Sequence, residues 1–181
     1  GLVDSPVMLS VDIRSLESKA AQVEGDLVAD DAVWQEGDVR PAEAVHVSGR
    51  LSTAGHGRWY FSGRLSGDVV EPCRRCLEDV QVPVAHDVNI FLAEEGDETA
   101  EEDPDVYRVD PRANEIDLRP AVREEWVVTA PAFVLCREDC KGLCPNCGAD
   151  LNAGPCSCPQ TTDSRWAALR EARNDLSRGD A

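Results

Sequence analysis

The sequence lacks both a long apolar segment and a signal-like N-terminus. No run of eighteen apolar residues occurs in its 181 residues, so we expect no transmembrane helix. Residues 1–6 lack the basic region and apolar stretch of a secretory signal. We therefore predict a cytoplasmic protein in a reducing compartment, where clustered cysteines are more often metal ligands than disulfides.

Basic residues are also scarce. The 18 lysines and arginines stand against 35 aspartates and glutamates, which gives a formal net charge of −17 at pH 7. Such a chain repels phosphate backbones on average, so it is not a general nucleic-acid binder. Residues 94–105 contain eight carboxylates and no base, and we expect an acidic loop there. Residues 49–76 instead have a local excess of arginine, at Arg50, Arg58, Arg64, Arg74 and Arg75.

The motifs of common enzyme classes are missing. The sequence has no G-x-S-x-G motif, no phosphate-binding P-loop and no dinucleotide fingerprint. Only three histidines are present, and none lies beside a cysteine pair. His86 falls on the apolar side of a predicted strand, where we expect a hydrogen-bonded core residue. These absences predict that the protein is not an enzyme.

The eight cysteines form two tight clusters. The first is Cys73-Arg-Arg-Cys76, and the second extends from Cys136 to Cys158. A C-x-x-C turn points both sulfurs at one centre, and eight thiolates complete two four-sulfur sites with no open coordination position. We therefore predict two structural Zn²⁺ ions, bound by Cys73, Cys76, Cys136, Cys140, Cys144, Cys147, Cys156 and Cys158. Four disulfides are the alternative, although C-x-C and C-x-x-C pairs are poorly placed for separate bridges.

The spacing leaves the grouping of these ligands open. The hairpin pair needs two partners from elsewhere in the chain, and the nearest candidates precede the compact C-x-x-C…C-x-C unit. The favoured grouping is Cys73, Cys76, Cys136 and Cys140 in one site, with Cys144, Cys147, Cys156 and Cys158 in the other. The competing grouping joins the Cys73 pair with the Cys144 pair, as in a zinc ribbon.

Alternating apolar residues predict a sheet. The alternation is clearest at residues 45–51, 59–69 and 80–92, and we predict an antiparallel three-stranded meander with Cys73 and Cys76 in its second hairpin. Gly63 and Gly67 share the apolar face of the middle strand and indicate bulges or close approach. Further strands are predicted at residues 7–16, 106–109 and 115–116, residues 20–28 are ambiguous, and a loop is predicted at residues 29–42.

Two helices are predicted after the meander. Asp117 is a candidate N-cap for a helix over residues 118–129. The apolar stripe of that helix has the helical period and consists of Leu118, Val122 and Trp126. Asp163 is the corresponding candidate for a last helix over residues 164–177.

The predicted fold is α+β. It consists of an antiparallel sheet, curled toward a barrel-like shape, with two helices and two zinc sites of four cysteines each. We expect one compact domain, in which residues 1–93 form the meander portion with the first zinc knuckle. Residues 94–105 form the acidic loop, and residues 106–181 contain the helices and the second cysteine cluster.

The cysteine motifs belong to a longer pattern. Residues 71–77 read Glu-Pro-Cys-Arg-Arg-Cys-Leu, residues 116–120 read Ile-Asp-Leu-Arg-Pro, and residues 142–152 read Gly-Leu-Cys-Pro-Asn-Cys-Gly-Ala-Asp-Leu-Asn. In the order and spacing of these motifs the chain resembles the YceD family, the bacterial and plastid "large ribosomal RNA subunit accumulation" proteins, over about residues 10–176. The resemblance implies a role in making or preserving 23S ribosomal RNA and the large ribosomal subunit. It implies no known catalytic activity.

Two kinds of partner are consistent with the resemblance and the charge. The five arginines named above are candidate contacts to 23S ribosomal RNA or its precursor, with Trp59 and Tyr60 nearby for stacking. The alternative interpretation is that Trp59 is a core residue and the arginines pair with the acidic loop. A basic large-subunit ribosomal protein or an assembly factor could instead bind residues 94–105. The alternative function is a zinc-stabilised protein-interaction or redox-sensing module that is not tied to the ribosome.

Overall fold

A computed structural model describes residues 9–159 and, beyond them, residues 164–166, 168, 169, 172 and 173; the side chains of residues 99, 100 and 164 lie outside this description. The strands are β1 Ser10–Asp12, β2 Ala21–Val28, β3 Ala44–Gly55, β4 Arg58–Pro72, β5 Asp79–Glu94, β6 Val106–Val109 and β7 Glu115–Asp117. The helices are α1 Ile13–Leu16, α2 Glu98–Glu102 and α3 Arg119–Thr129, with a 3₁₀ turn at Ser164–Trp166. Within the described ranges, only α3 is longer than two turns.

Five strands form one open sheet in the order β2-β3-β4-β5-β6, and β1 pairs with β7 in a separate two-stranded sheet. Neighbouring strands of the large sheet are antiparallel except β5 and β6, which run parallel. In the part of the chain that the structure describes, β2 and β6 do not pair to close the sheet. The predicted antiparallel sheet is therefore confirmed for β2–β5, but β6 makes the sheet mixed, and the predicted barrel-like shape is wrong because the sheet is open.

The connection between β5 and β6 explains this difference. Parallel neighbours need a crossover that carries the chain back along the sheet. Residues 95–105 provide that crossover and include the short helix α2, so the predicted acidic loop is partly helical. With four residues against the sixteen of β5, β6 pairs only with residues 91–94 at the end of β5.

The predicted meander is confirmed. β3, β4 and β5 are consecutive antiparallel neighbours, and Cys73 and Cys76 lie in the turn between β4 and β5. Alternate apolar residues of the three strands are buried in one core: Val45, Val47, Leu51, Trp59, Phe61, Leu65, Val69, Val84, Val88, Ile90 and Leu92. Removal of this apolar surface from water stabilises the sheet by roughly 25 cal/mol per Å².

The glycines of β4 permit close contacts rather than bulges. Gly63 pairs directly with Gly49 on β3, and the Phe61 ring lies so close that a Cβ on Gly49 would be 2.6 Å from Phe61 Cζ. Gly67 lies under Trp126 of α3, where a Cβ would be 3.1 Å from Trp126 Cη2. The pairing register of β4 with β5 is continuous through both glycines of β4.

The N-terminal part of the fold differs from its sequence prediction. Within the described residues, only β1 of the predicted strand 7–16 is extended, and α1 follows at once. The Asp12 carboxylate accepts a hydrogen bond from the Arg14 N–H at 2.9 Å, which caps this single turn of helix. The ambiguous residues 20–28 contain β2, in which every second residue from Val23 onward is buried.

Helix α3 packs its predicted apolar stripe on the sheet. Leu118, Val122 and Trp126 are all buried. The N-cap is Leu118 rather than the predicted Asp117. The Asp117 carboxylate nevertheless accepts a hydrogen bond from the Arg119 N–H at 3.0 Å, so the acidic residue still serves the start of the helix.

The loop between β2 and β3 is fastened to α3 by an ion pair. Arg123 Nε and Nη2 donate to the two carboxylate oxygens of Asp38 at 2.6 and 2.7 Å. The two side chains are only 13% and 7% exposed. Trp126 Nε1 also donates to the Val39 carbonyl oxygen at 3.1 Å. These contacts hold the predicted loop against the helix that covers the sheet.

His86 is exposed, although Val84 and Val88 on either side of it are buried. The prediction of a core histidine is therefore wrong. Alternation sets the side of the sheet to which a residue belongs, but not how completely another element covers it.

The predicted C-terminal helix over residues 164–177, with its cap Asp163, lies mostly outside the described residues. Among those described there, residues 164–166 form the 3₁₀ turn, and residues 168, 169, 172 and 173 are helical. None of the helices in the described part of the chain has the length and hydropathy needed to span a bilayer.

Candidate metal centre

Four cysteine sulfurs meet between the β4–β5 hairpin and the segment that follows α3. Cys73 and Cys76 belong to the hairpin, and Cys136 and Cys140 to the later segment. The Sγ atoms of Cys73 and Cys140 are 3.9 Å apart, those of Cys76 and Cys136 are 3.5 Å apart, and all four lie within 4.8 Å of one another. Zinc–sulfur bonds of about 2.3 Å place tetrahedral sulfurs about 3.8 Å apart, so this group, the hairpin site, fits a tetrahedral ion.

A second quartet lies entirely within the later segment. It consists of Cys144, Cys147, Cys156 and Cys158, and its ligand atoms also lie within 4.8 Å of one another. We call it the tail site. The structure thus assembles the two groups that the sequence favoured rather than the ribbon-like grouping. That these groups bind metal stays a prediction.

The two C-x-x-C turns have the same backbone geometry. In the hairpin site the Cys73 N–H donates to the Glu78 carbonyl oxygen at 2.8 Å, and the Leu77 N–H donates to the Cys73 carbonyl oxygen at 2.9 Å. Both hydrogen bonds recur in the tail site, from the N–H groups of Cys144 and Gly148, at 2.8 Å each. Leu77 and Gly148 hold the same place and both have positive φ, 65° and 71°.

The two sites differ in burial. Cys73 and Cys140 of the hairpin site are buried, whereas Cys147 of the tail site is exposed. The hairpin site also has a small core of its own, in which Val80 and Leu143 pack beside the cysteines, separate from the main core of the sheet. Solvent, chelators and oxidants therefore have easier access to the tail site.

Hydrogen bonding and burial shift the thiol pKa values in opposite directions. Backbone N–H groups, foremost that of Cys136, lower the pKa of Cys73 to about 6, and those led by Cys147 lower the pKa of Cys144 to about 6. Burial raises the pKa of Cys136 to about 12, and the hydrogen bond with Cys147 raises the pKa of Cys158 to about 12. Each quartet thus contains a cysteine with a lowered pKa, Cys73 or Cys144, and a cysteine with a raised pKa, Cys136 or Cys158. Binding of a divalent cation would displace the protons that remain on the thiols.

The family described as "Large ribosomal RNA subunit accumulation protein YceD" matches residues 61–171, which is more than half of the chain. The chain belongs to this family. The matched residues include all eight cysteines, and therefore both quartets. The YceD resemblance seen in the sequence motifs is thus confirmed.

Curated relatives of this YceD chain match about as much of it as the family does. A protein of Mycobacterium tuberculosis strain H37Rv is 36% identical over 117 residues, which are 61% of this chain and 53% of the relative. The protein YlbN of Bacillus subtilis strain 168 is 32% identical over 115 residues, which are 62% of this chain and 64% of the relative. Both relatives are named as uncharacterised, and the chain spans about half the length of the mycobacterial one. No solved structure matches the chain.

Arg74 and Arg75 of the YceD chain fasten the later segment to the hairpin. The Arg74 guanidinium donates through Nε and Nη2 to the Ala132 carbonyl oxygen at 3.2 and 2.8 Å, and it lies 5.0 Å from the centre of the Phe133 ring. Arg75 Nη1 donates to two carbonyl oxygens of the later segment, the nearer being that of Cys140 at 2.9 Å. The structure therefore gives both predicted RNA contacts intramolecular partners, which leaves fewer of their N–H groups free for another ligand.

The other three predicted arginines lie on β3 and β4. Arg50 and Arg64 are diagonal neighbours on the solvent face of the large sheet. Arg64 Nη1 is 2.7 Å from an Asp87 carboxylate oxygen, whereas Arg50 has no carboxylate partner among the residues that the structure describes. Arg58 pairs with Asp97 of the acidic segment at 2.9 Å, as the alternative interpretation predicted.

Tyr60, a predicted stacking residue, is half-buried on the same sheet face and pairs there with Phe91, which was not predicted. The rings of Tyr60 and Phe91 have centroids 4.8 Å apart, and the Tyr60 hydroxyl donates to Asn89 Oδ1 at 2.6 Å. Phe91 is 54% exposed. A signal was present in the sequence, since Phe91 falls on the polar side of the β5 alternation, next after Asn89. Trp59, by contrast, is a core residue.

Proposed function

We propose that this YceD protein is a non-enzymatic factor that supports the accumulation of 23S ribosomal RNA and the biogenesis of the large ribosomal subunit. The observation that carries the proposal is the family match over residues 61–171. The site geometry supports a structural part for metal, because four thiolates in each quartet leave no coordination position for a reacting water.

In this proposal Zn²⁺ occupies both quartets. Four thiolates in a tetrahedral arrangement are the ligand set of structural zinc, and the apparent binding energy of such ions, on the order of 10–16 kcal/mol, appears as folding energy. The hairpin site joins Cys76 to Cys136, 60 positions later, so its ion would fix the later segment against the sheet. The predicted cytoplasmic location belongs to the same proposal, since thiolate sites need a reducing compartment.

The solvent face of the large sheet is the proposed RNA contact. It presents the guanidinium groups of Arg50, which has no carboxylate partner among the described residues, and of Arg64, which pairs with Asp87 through Nη1, beside the ring pair of Tyr60 and Phe91. Guanidinium groups pair with phosphates, and exposed aromatic rings stack on unpaired bases. The net charge of the chain is −17, which disfavours RNA binding at most other surfaces. The two arginines instead contribute positive charge to this face.

Deletion of the gene in the organism of origin tests the function. We expect a lower ratio of 23S to 16S ribosomal RNA and fewer large subunits in sucrose gradients. The unchanged gene should restore both, and a Cys73→Ser, Cys76→Ser variant should not. Ser157→Ala, which alters the residue between two tail ligands but no ligand, is the matched control and should restore both. Normal 23S levels in the deletion strain would refute the ribosomal role.

Crosslinking in cells tests the RNA surface separately. We expect 23S sequences to crosslink to the unchanged protein and to be depleted several-fold in an Arg50→Ala, Arg64→Ala variant. Arg14→Ala, Arg112→Ala, which removes two exposed arginines outside the large sheet, is the control for the loss of two positive charges. Equal crosslinking of both variants would remove the sheet face from the proposal while leaving the ribosomal role open to the deletion test.

A protein client is the second candidate partner. Helix α2 presents exposed carboxylates at Glu98, Glu101 and Glu102, which suit a basic large-subunit ribosomal protein. Replacing these three with glutamine keeps Asp97, the partner of Arg58, and so spares the β5–β6 crossover. Loss of a salt-sensitive ribosomal protein from the purified variant would favour this partner, and unchanged binding would exclude the α2 surface.

A further inference from the structure

Asn152 lies in the sequence among the ligands of the tail site, but its side chain contacts a ligand of the hairpin site. It lies between Cys147 and Cys156, inside the loop that the tail ligands close. Its side-chain Nδ2 donates to the Sγ atom of Cys140, a hairpin ligand, at 3.5 Å. Its Oδ1 accepts from the Lys141 N–H at 2.8 Å. A residue held by one quartet therefore hydrogen-bonds to a ligand of the other.

The orientation of this amide follows from its neighbours. The Lys141 N–H can only donate, so it must face Oδ1. The Asp150 carboxylate accepts from Nδ2 at 2.8 Å and from the Asn152 N–H at 2.9 Å. Because a carboxylate can only accept, the atom facing Asp150 must be the Nδ2 amide group, which agrees with the orientation set by Lys141. The group that faces the Cys140 sulfur is thus an N–H donor, which stabilises a thiolate.

The backbone around Asn152 connects the same two sites. The Leu143 N–H donates to the Arg75 carbonyl oxygen of the hairpin at 3.0 Å, and the Leu151 N–H donates to the Gly142 carbonyl oxygen at 2.9 Å. Gly142 has a φ of 73°, and a Cβ there would lie 2.7 Å from the Arg75 carbonyl oxygen. The segment between Cys140 and Cys144 is therefore held between the hairpin on one side and the tail loop on the other.

We infer that Asn152 is a positioning residue that couples the two quartets, so that an ion in the tail site strengthens binding at the hairpin site. The inference rests on the proposed metal sites. An ion bound by the tail ligands fixes the loop that contains Asn152 and so holds its N–H on the Cys140 sulfur. Outer hydrogen bonds of this kind change metal affinity by roughly 10–100-fold. Because the coupling is reciprocal, the hairpin ion strengthens the tail site by the same factor.

Zinc binding constants measured by competition with a chelator test the coupling. Three full-length proteins are needed: the unchanged chain, a chain without the tail site (Cys147→Ser, Cys158→Ser) and a chain without the hairpin site (Cys76→Ser, Cys136→Ser). The coupling factor is the two-ion constant of the unchanged chain divided by the product of the two single-site constants. We expect a factor of about ten or more. A factor near one would overturn the inference.

Substitutions at Asn152 in the same three proteins identify the residue responsible. Asn152→Ala should bring the coupling factor close to one. Asn152→Asp keeps an acceptor for the Lys141 N–H but has no donor for the sulfur, so it should fail to restore the coupling. If Asn152→Asp restores it, the contact with Lys141 is the one that matters and the inference is wrong. Asn146→Ala, at an asparagine inside the tail C-x-x-C turn, is the control and should leave the factor unchanged.

A measurement on the intact ligand set guards against failure of the single-site proteins to fold. With all eight cysteines present, Asn152→Ala should lower the two-ion constant about tenfold at an unchanged stoichiometry of two. An unchanged constant would overturn the inference. Binding of fewer than two zinc ions by the unchanged chain would instead refute the proposed metal sites, so the two failures are distinguishable.

Discussion

Leu77 adopts a backbone conformation that is costly for a leucine. Its φ is 65°, in the left-handed region, and its side chain is 64% exposed, so burial offers little compensation. The matching residue of the tail C-x-x-C turn is Gly148, which has no Cβ and tolerates that region freely. The hydrogen bonds of the turn, and the geometry that the sulfurs require, hold Leu77 in place against this strain.

Leu77→Gly should therefore stabilise the protein. Relief of the left-handed conformation is worth on the order of 1 kcal/mol after the greater flexibility of glycine in the unfolded chain is subtracted. Thermal unfolding of the metal-loaded protein would show this as a higher midpoint. Leu77→Ala keeps the Cβ and the strain, so it should give no such gain. A lower midpoint for Leu77→Gly would mean that the exposed side chain makes a stabilising contact.

Helix α3 rests on the sheet at a glycine. Trp126 is fully buried over Gly67, and a Cβ on Gly67 would also be 2.7 Å from the Ala44 carbonyl oxygen. Gly67→Ala should consequently push the indole and the neighbouring strand apart and destabilise the fold by about 2 kcal/mol, as overpacking does in other cores. Urea unfolding followed by tryptophan fluorescence measures this change. Ser66→Ala alters the adjacent residue of the same strand and should have an effect below about 0.5 kcal/mol.

The ion pair between Asp38 and Arg123 links stability to pH. The hydrogen bond from Arg123 lowers the pKa of Asp38 below its usual value. The pair therefore contributes stability above the unfolded-state pKa of about 4, and this contribution is lost as the pH falls through the lower pKa of the folded state. Asp38→Asn should cost about 2 kcal/mol at neutral pH and reduce the loss of stability on acidification. Unfolding curves between pH 3 and 7 test both effects, and an unchanged acid slope would contradict the assignment.

The short strands β6 and β7 were located from sequence, but the strands whose pairing and inward face could also be predicted are those whose pattern alone determines their burial. β3, β4 and β5 have aliphatic and aromatic residues at alternate positions over long stretches, so their pairing and inward face follow directly. β2 contains Gly25 between Glu24 and Asp26, which interrupts the alternation of apolar residues. The segment could therefore be recognised as a strand only from its pairing with β3. The parallel addition of β6 depends on the path of residues 95–105 across the sheet, which no local pattern encodes.

The site shows the same division. The quartets followed from ligand spacing, because the tail cysteines are close enough in sequence to form a compact unit and leave a pair for the hairpin. The partners of Arg74 and Arg75 could not be predicted. They are backbone carbonyl groups of the later segment, and carbonyl groups have no sequence signature. The sequence showed Asn152 only as the last residue of the family motif. Its hydrogen bond to Cys140 could not be predicted, because the contact depends on how the tail segment folds.

The described part of the molecule has two separate cores, and we expect them to respond differently to removal of the proposed ions. The main core involves the strands and α3, whereas the later segment meets the rest of the chain chiefly at the small cysteine core. Chelation should therefore loosen residues 136–159 and leave β3–β5 folded. Hydrogen exchange with mass spectrometry should show fast exchange in the first region and retained protection in the second. Uniform loss of protection would mean that the sheet also depends on the ions.

The wide separation of the hairpin ligands in the sequence has a kinetic consequence. Cys76 and Cys136 are 60 positions apart, so they meet only after a long loop has closed, whereas the tail ligands span a short stretch. If both quartets bind zinc as proposed, we expect the tail site to bind its ion first on dilution from denaturant. Zinc binding at the hairpin site should be slower, because it requires the sheet to have formed. Its rate should therefore be set by strand pairing and should not depend on the zinc concentration.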